Sequence, residues 1–249
     1  MSLKYLLLSL LHIHSSLANT GKTIFLGPPT INVPSQHPTI SDLHLDVLTP
    51  HNINNNNDNF FSLRTKLLAA FPTDKDPHGV ESWFLLDNLT PRQRYEVRVC
   101  WPASQPTAFE LQTFPVPVVW DTPELITSLS SYAYSRQRPS SEDDELLPPS
   151  SSTQQAKEED REASLLFLRI RAKADYFTTN ATLMSHPPPV DVDVILDPFV
   201  GGVLPRSLVP TVVYVVIVAG VSWFVAKVVL GLLRGVVKDE RGGGVKKTQ

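Results

Sequence analysis

Cysteine is almost missing from this sequence: Cys100 stands alone among 249 residues. An internal disulfide is therefore excluded, and a fold placed in an oxidising compartment must rest on its core or on its partners. Cys100 sits in an apolar-alternating stretch and reads as a small buried hydrophobe. Signatures of metal and hydrolytic chemistry are missing too. His37, His44, His51, His78 and His186 share no ligand spacing, and there is no His-Glu-x-x-His, Cys-x-x-Cys or Gly-x-Ser-x-Gly. Asp191-x-Asp193 comes nearest to a glycosyltransferase-type metal pair, but alternating Asp on a strand usually marks its wet face. Gly201-Gly202 and the Gly242–Gly244 run have no phosphate-binding helix after them. The net charge of −3 provides no basic footprint, so nucleic acid is not an expected partner. No cofactor, no metal and no catalytic residue can be named, and the chain reads as a non-enzyme.

What the sequence does hold is apolar length at its end. Leu208 to Leu233 is an almost unbroken apolar run, and about 20 such residues suffice to cross a bilayer as a helix. Arg234, Lys238, Arg241, Lys246 and Lys247 follow it and outnumber Asp239 and Glu240, which places the tail, 234–249, in the cytosol. Lys246 and Lys247 lie third and fourth from the carboxyl terminus, the spacing of a dilysine retrieval signal read by the COPI coat. At the other end, Lys4, the apolar Tyr5–Leu11 and the small pair Ser16 and Ala18 have the layout of a cleavable signal over residues 1–18. The expectation is a single-pass type I protein of the endoplasmic reticulum membrane, with 19–200 in the lumen and 201–207 as a juxtamembrane segment. A GPI-anchor precursor is excluded, because polar and basic residues follow the apolar run.

Between the two ends, abundant proline (22 residues) beside ordinary glycine (11) favours strands and irregular segments. Thr23–Leu26 and Leu43–Leu48 read as short strands, and Ser62–Phe71 is ambiguous between strand and helix. Asn52 to Asn59 is a low-complexity loop. Trp83-Phe84-Leu85-Leu86 is a buried-strand candidate. In Tyr95-Glu96-Val97-Arg98-Val99-Cys100-Trp101 the apolar residues Tyr95, Val97, Val99 and Trp101 fall on one face. Thr107–Phe114 is a further strand. The Leu89-x-Pro91-x-x-x-Tyr95 spacing before an alternating strand resembles the corner of fibronectin-III and immunoglobulin sandwiches, where a Tyr hydroxyl bonds back to upstream backbone. The fold expected is mainly β: an immunoglobulin- or fibronectin-III-like sandwich in two parts, 19–135 and 165–200, plus one transmembrane helix, 208–233. After Pro117 no period is evident, and the acidic, Ser-rich stretch 136–164 reads as a disordered insertion. Leu165–Arg171, continuing to Tyr176-Phe177, and Val190–Leu196 complete the strands. Pro205 and Pro210 are expected to keep the approach to the membrane out of regular helix.

Two sequons, Asn88-Leu89-Thr90 and Asn180-Ala181-Thr182, are candidate glycosylation sites, and Pro91 makes Asn88 the poorer acceptor. Lys227 is the one charge inside the apolar run. Its stem can snorkel toward the cytosolic headgroups, or its ammonium can meet another membrane protein. Asp197 to Thr211, with Pro205 and Arg206, is the candidate partner contact, its competitor being a stiff linker to the helix.

Taken together, Leu89-Thr90-Pro91 with Tyr95–Trp101, Leu165 to Phe177, and Ile195-Leu196-Asp197-Pro198 leading to Pro205-Arg206-Ser207-Leu208-Val209-Pro210-Thr211 resemble the fungal coactivator family of GPI mannosyltransferase II. The resemblance implies a noncatalytic membrane glycoprotein of the endoplasmic reticulum. Its partner would be the multispanning mannosyltransferase subunit that adds the second mannose in GPI-anchor biosynthesis. The family supplies no catalytic residues to transfer, and the acidic insertion and the Asn-rich loop fall outside its pattern. From a different class, a cargo receptor or quality-control adaptor cycling between endoplasmic reticulum and Golgi would share this layout. Such an adaptor would also need a forward export signal, for which Val236-Val237 is the nearest feature. A lumenal enzyme is disfavoured by the missing motifs.

Overall fold

The computed structural model describes residues 19–33, 39–50, 62–74, 76–137 and 161–242. The expected signal segment, the whole Asn-rich loop, 138–160 of the expected insertion, and the tail from 243 with Lys246 and Lys247 lie outside the described residues. Two compact units are present, dividing at Phe199 and Val200.

The first unit is mainly β. One sheet has the order β1 (Thr20–Leu26), β6 (Arg94–Cys100), β10 (Val190–Val200), with β4 (Ser62–Leu67) also on β10, and these pairings are all antiparallel. A second sheet has the order β3 (Asp46–Leu48), β5 (Val80–Leu86), β9 (Leu166–Ala174), β7 (Thr107–Pro115). Its β3–β5 pair is parallel and the other two are antiparallel. A small ribbon joins β2 (Ile31–Val33) to β8 (Arg161–Ala163), so the far end of the expected insertion is a strand.

Alternation decides which side chains meet. Tyr95, Val97 and Val99 of β6, with Val190, Val192, Val194 and Leu196 of β10, point at Phe84 and Leu86 of β5 and at Leu168 and Ile170 of β9. That shared core lies between the two sheets. The opposite face of the second sheet is buried as well: Trp83, Leu85 and Phe167 pack beneath α1 (Val116–Asp121) and α2 (Pro123–Gln137). This second layer explains why β5 and β9 read as nearly continuous apolar runs rather than alternating ones.

Helix α2 corrects the expectation of no period after Pro117. Leu125, Leu129 and Ala133 recur every four residues and are buried against Trp83 and Phe167. The start signal was also present: the Thr122 carbonyl accepts from Leu125 and Ile126 N–H, and Pro123 occupies the first helical position. Exposed serines interleaved in the sequence, Ser130, Ser131 and Ser135, mask the stripe. Three smaller expectations also shift. Ser62–Leu67 is a strand, β9 ends at Ala174 before Tyr176, and β10 runs on through Pro198 to Val200. Pro198 lies past the last β4 pairing, Ile195 with Ser62, so its missing N–H breaks no rung of that ladder, while it stays in register with Tyr95 on β6.

The second unit begins with a turn at Gly201 and Gly202, both at positive φ, 62° and 71°. A 3-10 turn, Arg206–Leu208, then feeds helix α4, Val209–Gly242, of 34 residues. Pro210 therefore lies inside the helix rather than before it. A proline in the first turn lacks an N–H that would have had no helical partner there, so the expected exclusion does not apply. The stretch Arg206–Gly231 has a mean hydropathy of 2.3 and is long enough to cross a membrane.

Candidate functional site

The corner before β6 holds the free ends of two strands. Tyr95 is fully buried and stacks on Phe25, with ring centroids 5.7 Å apart. Its hydroxyl accepts from the Thr90 N–H at 2.9 Å, the back-bond expected of such a corner. The chain reverses closely here: Gly27 N–H donates to the Gln93 carbonyl at 2.8 Å and Arg92 N–H to the Gly27 carbonyl at 2.9 Å. A Cβ on Gly27 would stand 2.1 Å from the Thr90 carbonyl oxygen, so only glycine fits. From the same turn, the Gln93 side-chain amide donates to the Phe199 carbonyl. The Arg94 guanidinium lies 5.1 Å above the Phe199 ring. The corner thus grips the last residue of the first unit, and its exposed rim carries Thr90, Pro91, Arg92 and Arg94.

The two sequons sit in unlike settings. Asn88 is exposed but held at φ 56°, with Leu89 buried behind it and the Thr90 N–H taken by Tyr95. Asn180 caps the short helix α3 (Ala181–Ser185), its Oδ1 accepting from Thr182 N–H at 3.0 Å. That bond uses the amide oxygen and does not consume the nitrogen that would carry a glycan. Beside it opens an apolar pocket of about 280 Å³, lined by Tyr176, Leu183, Pro106, Pro187 and Pro188.

Sequence reasoning missed a polar network beneath α2. Trp83 Nε1 donates to Ser128 Oγ at 2.9 Å, and that hydroxyl donates on to Glu81. Arg171 donates to the same carboxylate at 2.6 Å, while Arg169 lies 3.4 Å from it and donates to Gln112. Burial disfavours the Glu81 charge, but hydrogen bonds from Ser128 and Arg171 and the charges of Arg169 and Arg171 outweigh it, holding the carboxyl below its ordinary range. A carboxylate held in its ionised form is a structural anchor and not a proton donor. Arg169 is buried between Trp83 and Phe114, 5.7 and 5.1 Å from their rings, and burial lowers its proton affinity. The cleft alongside, roughly 630 Å³, is lined by Lys66, Asp76, Ser128, Ser131, Tyr132 and Arg136. Arg136 is already committed to Asp46 by two bonds, 2.8 and 2.9 Å. In the sequence Glu81, Arg169 and Arg171 alternate with apolar core positions and read as a solvated face, so nothing local marks the network. Among the described residues, no group of His, Cys, Asp and Glu could hold a metal ion.

The candidate contact residues separate. Asp197 belongs to β10, opposite Glu96 in register, and is 2% exposed. Pro205 and Arg206 belong to the second unit, at the entry to α4. Lys227 lies within the apolar stretch of α4, and its Nζ stands 4.0 Å from the Trp223 ring centroid.

No curated protein and no solved structure matches the chain. What does match, across the corner, both parts of the β unit and most of the apolar helix, is the Pga1 family model, described as GPI-mannosyltransferase II co-activator, over residues 10–228; the chain belongs to that family.

Proposed function

We propose that this chain is a noncatalytic accessory subunit of the endoplasmic reticulum enzyme that adds the second mannose to GPI precursors. It would be anchored once, as a type I protein, by α4. The family match over residues 10–228 carries this reading, and the one long apolar helix among the described residues agrees with it. A co-activator needs an enzyme to act on, so the partner is the mannosyltransferase subunit in the same membrane. The β unit is read as an immunoglobulin- or fibronectin-III-like sandwich carrying α1 and α2 as an added layer. Its two sheets around one core and the Tyr95 corner support that reading. The parallel β3–β5 edge is a departure from it.

Within this reading Pro205 and Arg206 remain the juxtamembrane contact, a fixed turn with a guanidinium for a carboxylate or phosphate. Asp197, being buried, supports the end of β10 instead of presenting a surface. Lys246 and Lys247 would engage the COPI coat, and Asn180 rather than Asn88 would carry the glycan.

Deletion of the protein is expected to leave GPI intermediates bearing a single chain mannose, restored by the full chain. Lipid-linked precursors labelled with radioactive mannose and resolved by chromatography give the measurement. A deletion strain with a normal precursor profile would overturn the co-activator role.

A further inference from the structure

Inside the apolar stretch of α4, Lys227 does not turn toward the basic residues that follow. A helical Cα–Cβ bond tilts toward the helix N-terminus, so the lysine stem sets out away from Arg234. The ammonium ends over the Trp223 ring, one turn deeper into the apolar run, 4.0 Å from its centroid. Snorkelling past the C-terminal end of the span would require the opposite direction along the axis. The indole face satisfies part of the charge. An ammonium has three N–H donors, however, and one ring face leaves donors without a partner in hydrocarbon.

The same side of the helix is shaped for a close neighbour. Gly220, Trp223, Lys227 and Gly231 are separated by three, four and four residues and so form one stripe. A Cβ built on Gly220 or Gly231 meets nothing within 4 Å, so both glycines leave bare backbone on that stripe. Small residues of this kind let another helix approach closely in a membrane. Of the other small residues nearby, Ser222 falls on the opposite side with Val225 and Val229, and Ala219 and Ala226 lie on the flank of the stripe.

We propose that the Gly220–Trp223–Lys227–Gly231 face of α4 docks against a membrane-spanning helix of the mannosyltransferase, whose aspartate or glutamate side chain receives the Lys227 ammonium. This rests on the co-activator reading and deepens it. Charge complementarity selects the occupant: lipid tails offer no acceptor, and a second copy of this chain would bring ammonium against ammonium.

The test is co-purification, in mild detergent, of the full chain with an epitope-tagged mannosyltransferase subunit, together with a photo-crosslinking residue placed on either side of α4. With the wild-type chain the enzyme should be recovered. Lys227→Leu should lower that recovery about tenfold, Lys227→Arg should preserve it, and Ser222→Leu should leave it unchanged. A crosslinker at Gly220 or Gly231 should give an adduct with the enzyme, and one at Val229 should not. Full recovery with Lys227→Leu, adducts from the Val229 side alone, or an adduct joining two copies of this chain would overturn the docking face while leaving the co-activator role standing. If the wild-type chain recovers no enzyme, the co-activator reading fails and this inference fails with it.

Discussion

Tyr95 shows how one hydroxyl organises the end of this fold. Its ring fills the shared core against Phe25, and its oxygen is the partner of the Thr90 N–H. Removing the oxygen leaves a donor without a partner beside a buried ring. Tyr95→Phe is therefore expected to cost about 1–2 kcal/mol, the scale of one orphaned buried group. Thermal or denaturant unfolding of the β unit gives the readout, and an unchanged midpoint would contradict it. This residue was legible in advance, because the Leu-x-Pro-x-x-x-Tyr spacing encodes a local turn and its bond spans five residues. Glu81, Arg169 and Arg171 were not. Each looks like an ordinary wet-face charge until α2 is known to cover them, and that covering is a long-range fact. The stretch around Asp197 was legible in sequence but misleading in role. It reads as a candidate partner contact, yet Asp197 and Pro198 extend a strand and Asp197 is buried.

At the scale of elements, helix α2 is the clearest case of structure hidden by composition. Its apolar stripe is narrow, only Leu125, Leu129 and Ala133 being buried, and its isolated helical preference is weakened by several Ser and Thr. Packing on Trp83 and Phe167 therefore holds the helix in place more than propensity does. Leu129, fully buried at the centre of that contact, is the residue on which this depends. Leu129→Ala should destabilise the β unit by about 2–4 kcal/mol, the range for emptying a buried leucine site. Exposed Thr127→Ala on the same helix should cost far less. Equal effects of the two changes in urea titration would mean that α2 is not docked as described. Strand β6 was readable because its alternation is strict, and β7 because Phe109 and Leu111 alternate with Ala108 and Glu110 before Phe114 breaks the period. β4 was ambiguous because Leu67 and Leu68 break the period at its end, one buried and one exposed. Helix α4 was readable from its length alone, although its first turn was misjudged by treating Pro210 as a breaker everywhere.

For the molecule as a whole, the missing disulfide has a measurable consequence. Small secreted domains commonly lean on crosslinks that restrict the unfolded chain. Here the burden falls on two apolar layers that share one sheet, with β5 and β9 buried on both faces. Such an arrangement buries Trp83, Phe84, Leu86, Phe167, Leu168 and Ile170 almost completely, each worth roughly 1.5–3 kcal/mol against exposure. Cys100 contributes no crosslink to this sum: it is partly exposed on the outer face of β6 rather than buried as the sequence suggests, and its Sγ accepts a hydrogen bond from the Thr20 hydroxyl at 3.7 Å. The thermal midpoint of the β unit should therefore be the same with and without a strong thiol reductant, and Cys100→Ser should leave both unfolding and the support of GPI mannosylation close to wild type. A midpoint that falls on reduction would show that Cys100 is crosslinked to another chain, which would make the partner, and not the two-layer core, the source of the β unit's stability.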